Sequence, residues 1–391
     1  MDIEICKWYG NADSPVLLMI DDLANIWVDT NGNGEIDLEE DWGYAKDSEK
    51  SSFRYLNDGI LKEFPHIKVT FFTPLGIRVG IIENPTIESV SKMINCDEET
   101  KEFFRSIHDD PRFEIAYHGT THGKVGKTNR DFKQEWELFN SLDEAIIAVD
   151  YGKKIYKDVF GEYPKGGKYC GYEANEYSDE SIDRTGFAWW CRYWNRGAVD
   201  ENPVTNFDIK TFGENNVLDI PSTINGALLS GVLNPNVLTL MGKVKEILKN
   251  QLIKIKLNQI DFLIKNKLVI SIQEHMAPSR EDGRRQSPNI FDDRESLKYI
   301  FKYLNNKNVW YCTGSELAEY VYVRQSINLI TLDEDNFKID TCRSIRAAIS
   351  LKFPCTVNSI VMPNGEIVEK KNHCFNVEIM FGIYKIIRGN K

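Results

Sequence analysis

The sequence contains no C-x-x-C pair, although it has eight cysteines. Neither a zinc ribbon nor a dense disulfide framework is therefore indicated, and we interpret the cysteines as reduced thiols. An excess of basic residues is also missing: 48 Lys and Arg stand against 59 Asp and Glu, which gives a net charge of -11. This balance argues against nucleic acid as the main partner.

Long apolar runs and a leader pattern are absent as well. No apolar run approaches the roughly 18 residues of a membrane helix, and residues 1–20 do not combine a basic start, an apolar stretch and a cleavage site. We therefore expect no integral membrane segment and a cytoplasmic location, with peripheral membrane attachment as an alternative. The 391 residues, 42% of them hydrophobic, are enough to bury a large core.

Apolar strand-like runs alternate with helix patterns over most of the chain. The helix patterns cover residues 97–108, 129–161 and 294–306. This alternation predicts an α/β fold with a parallel sheet or barrel, whose functional residues lie at the carboxyl ends of the strands. After residue 323 the pattern changes to short alternating runs, which predicts two domains, 1–323 and a small β-sandwich-like domain at 324–391.

The loop DTNGNGEIDLEE at residues 29–40 follows the EF-hand pattern, with Gly34 at the sharp turn. The predicted calcium ligands are Asp29, Asn31, Asn33, the backbone carbonyl of Glu35, Asp37 and Glu40. The alternative is an Asn-Gly turn between two strands. Since a strand-like run precedes the loop and no second loop of this kind occurs, we expect a structural calcium clip at this point and not a calcium switch.

Four polar groups end apolar runs. Asp21 and Asp22 follow LLMI, His118 follows FEIAY and His275 follows LVISIQE. Strand ends of this kind converge on one face of a parallel α/β core. His118 and His122 are spaced H-x-x-x-H, so both can reach one metal together with a carboxylate, leaving a position for water and permitting hydrolysis. The alternatives are capped or solvated histidines and an Asp pair that serves as a helix N-cap or turn.

In this order, the motifs MIDDL, HGTTHG, ISIQEH and NVWYCTGSELAEY resemble those of the polysaccharide deacetylase (NodB-homology) family of carbohydrate esterases over roughly residues 10–322. The resemblance implies an irregular (β/α) barrel. It also implies a zinc ion, or another divalent transition metal, bound by Asp22, His118 and His122. Asp21 would be the general base and His275 the general acid in removing an acetyl group from a sugar.

The sequence departs from the family where an Arg-Pro-rich motif orients the base. PKGGKYCGYEAN stands there at residues 164–175, with Lys168 as the nearest basic substitute. A lysine offers a point charge in place of a bidentate fork. The expected substrate-contacting or supporting residues are Lys168, Tyr169, Trp27 and Asp219, with Trp42 and Tyr44 also available to stack on sugar rings.

The predicted function is metal-dependent deacetylation of a carbohydrate, N-acetyl rather than O-acetyl, in the biosynthesis or modification of a surface polysaccharide. The alternatives are a catalytically inactive carbohydrate-binding relative and a calcium-dependent interaction protein. Expected partners are an acetylated saccharide and, as an open question, further copies of the chain. Residues 243–267 carry seven lysines and two acids, which fits an ordinary surface helix or a basic face resting on anionic lipid or polymer.

Overall fold

The computed structural model describes residues 3–193, 204, 207–341, 347–354 and 356–389. The six cysteines in these ranges are free thiols, as expected, and Cys342 and Cys355 lie outside them. In the described part of the chain, no helix is both long enough and apolar enough to cross a bilayer.

The regular elements alternate along the first four fifths of the chain. The strands are β1 (Glu4–Ile5), β2 (Ser14–Asp21), β3 (Ile26–Asp29), β4 (Val69–Thr73), β5 (Glu88–Ser91), β6 (Phe113–Tyr117), β7 (Gly123–Lys124), β8 (Lys133–Gln134), β9 (Gly166–Lys168), β10 (Trp189–Cys191), β11 (Lys210–Phe212), β12 (Val217–Asp219), β13 (Ile224–Asn225), β14 (Ile270–His275), β15 (Val309–Tyr311), β16 (Ile327–Thr331), β17 (Asn336–Thr341), β18 (Ala348–Lys352), β19 (Val357–Val361), β20 (Ile367–Glu369), β21 (Phe375–Glu378) and β22 (Tyr384–Arg388). The α-helices are α1 (Ser52–Gly59), α2 (Glu98–His108), α3 (Leu142–Phe160), α4 (Ser178–Arg184), α5 (Ser230–Leu233), α6 (Leu240–Ile247), α7 (Lys249–Lys265), α8 (Arg294–Leu304) and α9 (Gly314–Ser326). Short 3-10 turns occur at Tyr9–Asn11, Leu61–Glu63, Glu135–Glu137, Cys170–Tyr172 and Gly226–Leu228.

A curled ten-stranded sheet forms the centre, in the order β11-β12-β10-β9-β6-β4-β2-β14-β13, with β15 paired to the start of β2. Its pairings are parallel except for β11 with β12. All eight residues of β2 are buried. They alternate between two apolar clusters, Leu18 and Ile20 on one face and Leu17 and Met19 on the other, as expected for a strand covered on both sides. The predicted α/β fold of the irregular-barrel type is confirmed, and its sheet is curled into a half-barrel.

One helix differs from its prediction. The pattern over residues 129–161 becomes helical only at Leu142, where the Ser141 side chain accepts a hydrogen bond from the backbone N–H of Glu144 and caps the first turn. The residues before it form β8 and the 3-10 turn Glu135–Glu137. That turn places Glu135 beside the HGTTH loop, as described below.

The C-terminal residues form two antiparallel sheets, β16-β17-β22-β19-β20 and β1-β18-β21, which share one hydrophobic cluster. The β1 strand comes from the N-terminus and pairs with β18 through Glu4 and Ile5. The expected boundary at residues 323 and 324 falls inside α9. The all-β character predicted for this region is confirmed, whereas the division into 1–323 and 324–391 stays a prediction.

Candidate active site

The carboxyl ends of the parallel strands gather the polar groups that the sequence singled out. Asp21 and His275 end neighbouring strands and lie directly opposite each other in the β2–β14 register. The His275 Nε2 atom is 4.0 Å and the His118 Nε2 atom 3.9 Å from Asp21 Oδ2. Asp22 Oδ1 is 3.3 Å from His122 Nε2. The structure therefore brings both acids and all three histidines into one site.

A buried ion pair fixes the first acid. The Lys168 ammonium, which is 0% exposed, donates to both carboxylate oxygens of Asp21 at 2.9 and 2.7 Å, and it also donates to Gln273 Oε1. Burial by itself raises the pKa of Asp21, but Lys168, His118 and His275 outweigh it and hold that pKa below its usual value. Asp21 is consequently ionised at neutral pH and oriented by two charge-assisted hydrogen bonds.

The imidazole tautomers follow from their backbone contacts. His118 Nδ1 lies 3.0 Å from the carbonyl oxygen of Lys168, and His275 Nδ1 lies 2.7 Å from that of Pro288. Since a carbonyl only accepts, each Nδ1 carries a proton, and each Nε2 is the ring nitrogen left to face the site. Burial lowers the pKa of His118 and lowers that of His122 further, with Arg78 adding to the effect at His122. Both imidazoles are therefore neutral, which is the form that binds a metal.

Two buried polar atoms of the site have no hydrogen-bond partner among the described residues: Asp22 Oδ1 and His122 Nδ1. One ligand atom each of His118, His122 and Cys170 lies within 4.8 Å of the others. The Cys170 thiol, whose pKa burial raises well above its usual range, donates to the carbonyl oxygen of His118 at 3.1 Å. It packs as a neutral thiol in this arrangement, and Asp22 stays the predicted third ligand beside the two histidines.

Glu135 holds the HGTTH loop in place. Its buried carboxylate accepts the backbone N–H groups of Thr120, Thr121 and His122 at 2.7–3.0 Å. Gly119, at φ +83°, allows this approach, because a Cβ there would lie 2.5 Å from Glu135 Oε2. Asp22 and His122 also have positive φ, 65° and 68°. Backbone strain of this kind, roughly 1–3 kcal/mol per residue, is typical of functional sites.

A cavity of about 560 Å³ opens over these groups. Besides the two acids and three histidines, its walls comprise Gln134, Gly171, Tyr172, Glu173, Tyr193, Asn225, Gln273, Gln286, Ser287 and Pro288. Amide, hydroxyl and aromatic groups of this kind suit the hydroxyls and ring faces of a sugar.

The residues expected to support or contact the substrate lie behind or away from this cavity. Tyr169 donates to Asp179 Oδ1 at 2.8 Å, and Asp179 is paired with Arg192, which also binds Asp219. The Arg192 guanidinium packs over Tyr193, a wall residue. Tyr169 and Asp219 thus belong to one supporting network, whereas Lys168 lies beneath Asp21.

The aromatic residues of the cavity differ from those that the sequence predicted to stack on sugar rings. Trp27 stacks on Tyr44, with ring centroids 6.4 Å apart, and neither belongs to the cavity walls. Trp42 is 1% exposed and lies under the Arg78 guanidinium. The expectation that Trp42 stacks on a sugar is therefore wrong, because its ring faces are covered by protein. The aromatic walls are Tyr172 and Tyr193 instead.

The 29–40 loop follows β3 directly and closes on itself. Asp29 accepts the N–H groups of Gly32, Asn33 and Gly34, and Glu40 accepts from Thr30 and from the N–H of Asn31. Asp37 accepts from Lys50 and from the side-chain amides of Asn31 and Asn33, contacts that lower its pKa to about 2. Asn33 Oδ1 accepts the N–H of Glu35. The predicted calcium ligands thus hydrogen-bond mainly with one another within this loop, which a strand precedes as predicted.

Comparisons with known proteins give structural likenesses only. No family model matches the sequence, and no curated protein matches it significantly. A proposed polysaccharide deacetylase from Mycobacterium smegmatis matches at 16% identity and a TM-score of 0.47, covering 82% of this chain and 94% of its own. A probable polysaccharide deacetylase from Pseudomonas aeruginosa matches at 14% and 0.45, covering 81% and 93%. An allantoinase matches at 15% and 0.44, covering 81% and 92%.

Polysaccharide deacetylases, whose motifs the sequence resembles, are thus among the solved structures similar to this chain. At these TM-scores the likeness does not establish an activity for the chain.

Sequence reasoning missed two residues of the site. Cys170 and Glu135 lie beside the metal-ligand candidates although neither belongs to a recognisable motif. The one available signal for Cys170 was its place within the segment that contains Lys168. Glu135 lies in a run whose pattern is typical of a helix, so nothing in that pattern indicated its role.

Proposed function

We propose that this chain is a metal-dependent hydrolase that removes acetyl groups from an acetylated carbohydrate, with N-acetyl groups as the main substrate. The observation that carries the proposal is the shared cavity. A lysine-held carboxylate, an imidazole opposite it and a group of unpartnered ligand atoms all face the same space.

The residues present fit a divalent transition metal. Asp22 Oδ1 and His122 Nδ1 are buried without hydrogen-bond partners among the described residues, and His118 turns a lone pair toward the same cavity. One carboxylate and two neutral imidazoles form a typical three-ligand hydrolytic site. A metal bound by Asp22, His118 and His122 would polarise the acetyl carbonyl and lower the pKa of water.

The chain's own groups would then divide the proton transfers. Asp21, kept ionised by Lys168, takes a proton from the attacking water as its oxygen bonds to the acetyl carbon. His275 enters this step with a proton on each ring nitrogen and gives its Nε2 proton to the departing atom as the bond from that atom to carbon breaks. The proton that Asp21 has taken from water then returns to His275 Nε2, which restores both groups. The products are acetate and a free amine. An amide nitrogen leaves only when protonated, so a dedicated acid at His275 supports N-acetyl over O-acetyl substrates.

Acetate release tests this proposal. Wild-type protein loaded with zinc should release acetate from an N-acetylated oligosaccharide, and Asp21→Asn should lower kcat by about 10²–10⁴-fold. Asp13→Asn, a neighbouring acid outside the cavity walls, is the matched control and should keep full activity. Saccharide binding without turnover under any metal would refute the enzyme and favour the inactive-relative alternative.

We further propose that residues 29–40 bind calcium as a structural clip. The six predicted ligand positions follow the EF-hand spacing, and the first and last carboxylates, Asp29 and Glu40, are both buried. Calcium at 100 times its dissociation constant should raise the free energy of unfolding by about 2.7 kcal/mol. Glu40→Gln should abolish this effect, while Glu39→Gln should retain it. An unchanged melting temperature of the wild type with and without calcium would contradict the clip.

A further inference from the structure

Exposed apolar side chains concentrate in one short segment of the surface. The described residues include twenty large hydrophobic side chains that are exposed, and eight of them lie between Val237 and Ile255. Leu238 is 90% exposed, and Leu240 and Ile247 are each 81% exposed. Scattered single exposures are ordinary, whereas clustering of this kind marks an interaction surface.

The exposed side chains form a stripe along α6. Leu240, Met241, Val244 and Ile247, here named the α6 stripe, follow the i, i+1, i+4, i+7 spacing of one helix face. A helix in a globular protein normally buries such a face. In α6 the one buried residue is Gly242. The next helix, α7, does the reverse: it buries Ile253, Leu257, Ile260 and Leu263 in the core. Thus α7 packs against the core, and the preceding helix, α6, presents its apolar face outward.

Lysines are frequent in α6 and in the first turns of α7. Between Val237 and Lys256 the chain has five lysines, Lys243, Lys245, Lys249, Lys254 and Lys256, and one acid, Glu246. This local excess of positive charge occurs in a protein whose net charge is -11. An apolar stripe with a basic border is the arrangement by which helices lie in the plane of an anionic bilayer surface.

We propose that the α6 stripe docks on an anionic lipid surface, with its apolar side chains at the acyl boundary and the lysines among the headgroups. A second copy of the chain is the weaker occupant, because a two-fold contact through the same face would place the lysines of both copies together. This inference is independent of the proposed catalytic function.

Vesicle co-sedimentation of the full chain tests the proposal. Wild-type protein should bind phosphatidylcholine vesicles that contain phosphatidylserine, and should not bind vesicles of phosphatidylcholine alone. Lys243→Glu/Lys254→Glu changes two exposed lysines and should weaken binding by at least about fivefold for each charge. Leu240→Ser/Ile247→Ser should weaken it by about tenfold or more for each side chain.

Matched controls lie on other surfaces. Ile147→Ser in α3, where Ile147 is 69% exposed, and Lys338→Glu in β17 should leave vesicle binding unchanged. Equal melting temperatures of all variants would show that they fold. Absence of binding to the anionic vesicles would overturn the proposal, as would binding that survives both double substitutions. Dimerisation that Leu240→Ser/Ile247→Ser abolishes, with no vesicle binding, would assign the stripe to self-association instead.

Discussion

Replacing Lys168 by methionine removes the cation that holds Asp21 while keeping most of the side-chain volume. Lys168 is 0% exposed and Asp21 is 4% exposed, so the carboxylate would be left buried with its main partner gone. Breaking one side of a buried ion pair costs about 3–5 kcal/mol. Solvent screens this pair only weakly, because both groups are almost completely buried.

The same change should alter the pH dependence. In the wild type the folded pKa of Asp21 lies below 3.8, so its stabilising contribution is present above that value and is lost as the pH falls through the folded pKa. Without Lys168, the largest lowering influence is gone, and burial pushes the pKa upward. We expect the acidic limb of the kcat/KM profile to move to higher pH by about one unit for each 1.4 kcal/mol of lost interaction.

Guanidinium denaturation measures the loss in the free energy of unfolding, for the wild type, Lys168→Met, Asp21→Asn and the double variant. Profiles of kcat/KM against pH measure the movement of the acidic limb. The double variant should be less destabilised than the two single variants added together, because it leaves no unpaired charge. Stability of Lys168→Met within about 0.5 kcal/mol of wild type, together with an unshifted acidic limb, would refute the assigned role of Lys168.

Three further outcomes follow from the buried groups. Glu274 is fully buried, and neither of its carboxyl oxygens has a hydrogen-bond partner among the described residues. Its pKa is raised well above 4.5, mainly by burial and secondly by the negative charge of Asp293. The folded protein therefore retains a proton on Glu274 at pH values where the unfolded chain has lost it. Between pH 4.5 and the folded pKa, the contribution of Glu274 to the free energy of unfolding should fall by about 1.4 kcal/mol per pH unit. Glu274→Gln should flatten this slope in melting experiments. Glu135→Gln should weaken zinc binding about 10–100-fold in competition titrations, since it loosens the His122 loop, whereas Glu137→Gln should not. Because burial lowers the pKa of His118 and His122 below the usual histidine value of 6.5, zinc affinity should begin to fall only at a pH below that value; a loss beginning near pH 7 would contradict their neutral state.

Local patterns in the sequence were enough to predict the central sheet and its functional edge. In β2, every residue is apolar or small up to Asp21, so the run of buried residues and its polar end were both visible in the letters. In β6 and β14, which polar residues interrupt, mainly apolar residues likewise lead to a histidine, His118 just after β6 and His275 at the end of β14. The parallel arrangement then brings these ends together without further information.

Contacts between distant segments were not predictable in this way. Lys168 was selected because of its place in a motif, but its burial against Asp21, 147 residues away, is a property of the folded sheet. Glu135 and Cys170 reach the site through loops whose course depends on the strands they connect. Similarly, β1 joins the C-terminal sheet through two residues only, too few to show a periodicity.

The exposure of the apolar face of α6 was also not predictable from the sequence. Its apolar spacing suits a helix that packs against a core, and its lysines suit an ordinary surface helix. Only the structure separates α6 from α7 and shows which of the two faces the core.

The central claim is that a metal held by Asp22, His118 and His122 supports deacetylation. The most direct test is a zinc titration of metal-free protein, with bound zinc and released acetate measured in the same samples. The account predicts that both rise together, saturate at about one zinc per chain beyond any retained calcium, and fail together in His118→Ala/His122→Ala. Acetate release without bound zinc, or zinc bound at this site without release from any acetylated saccharide, would contradict it.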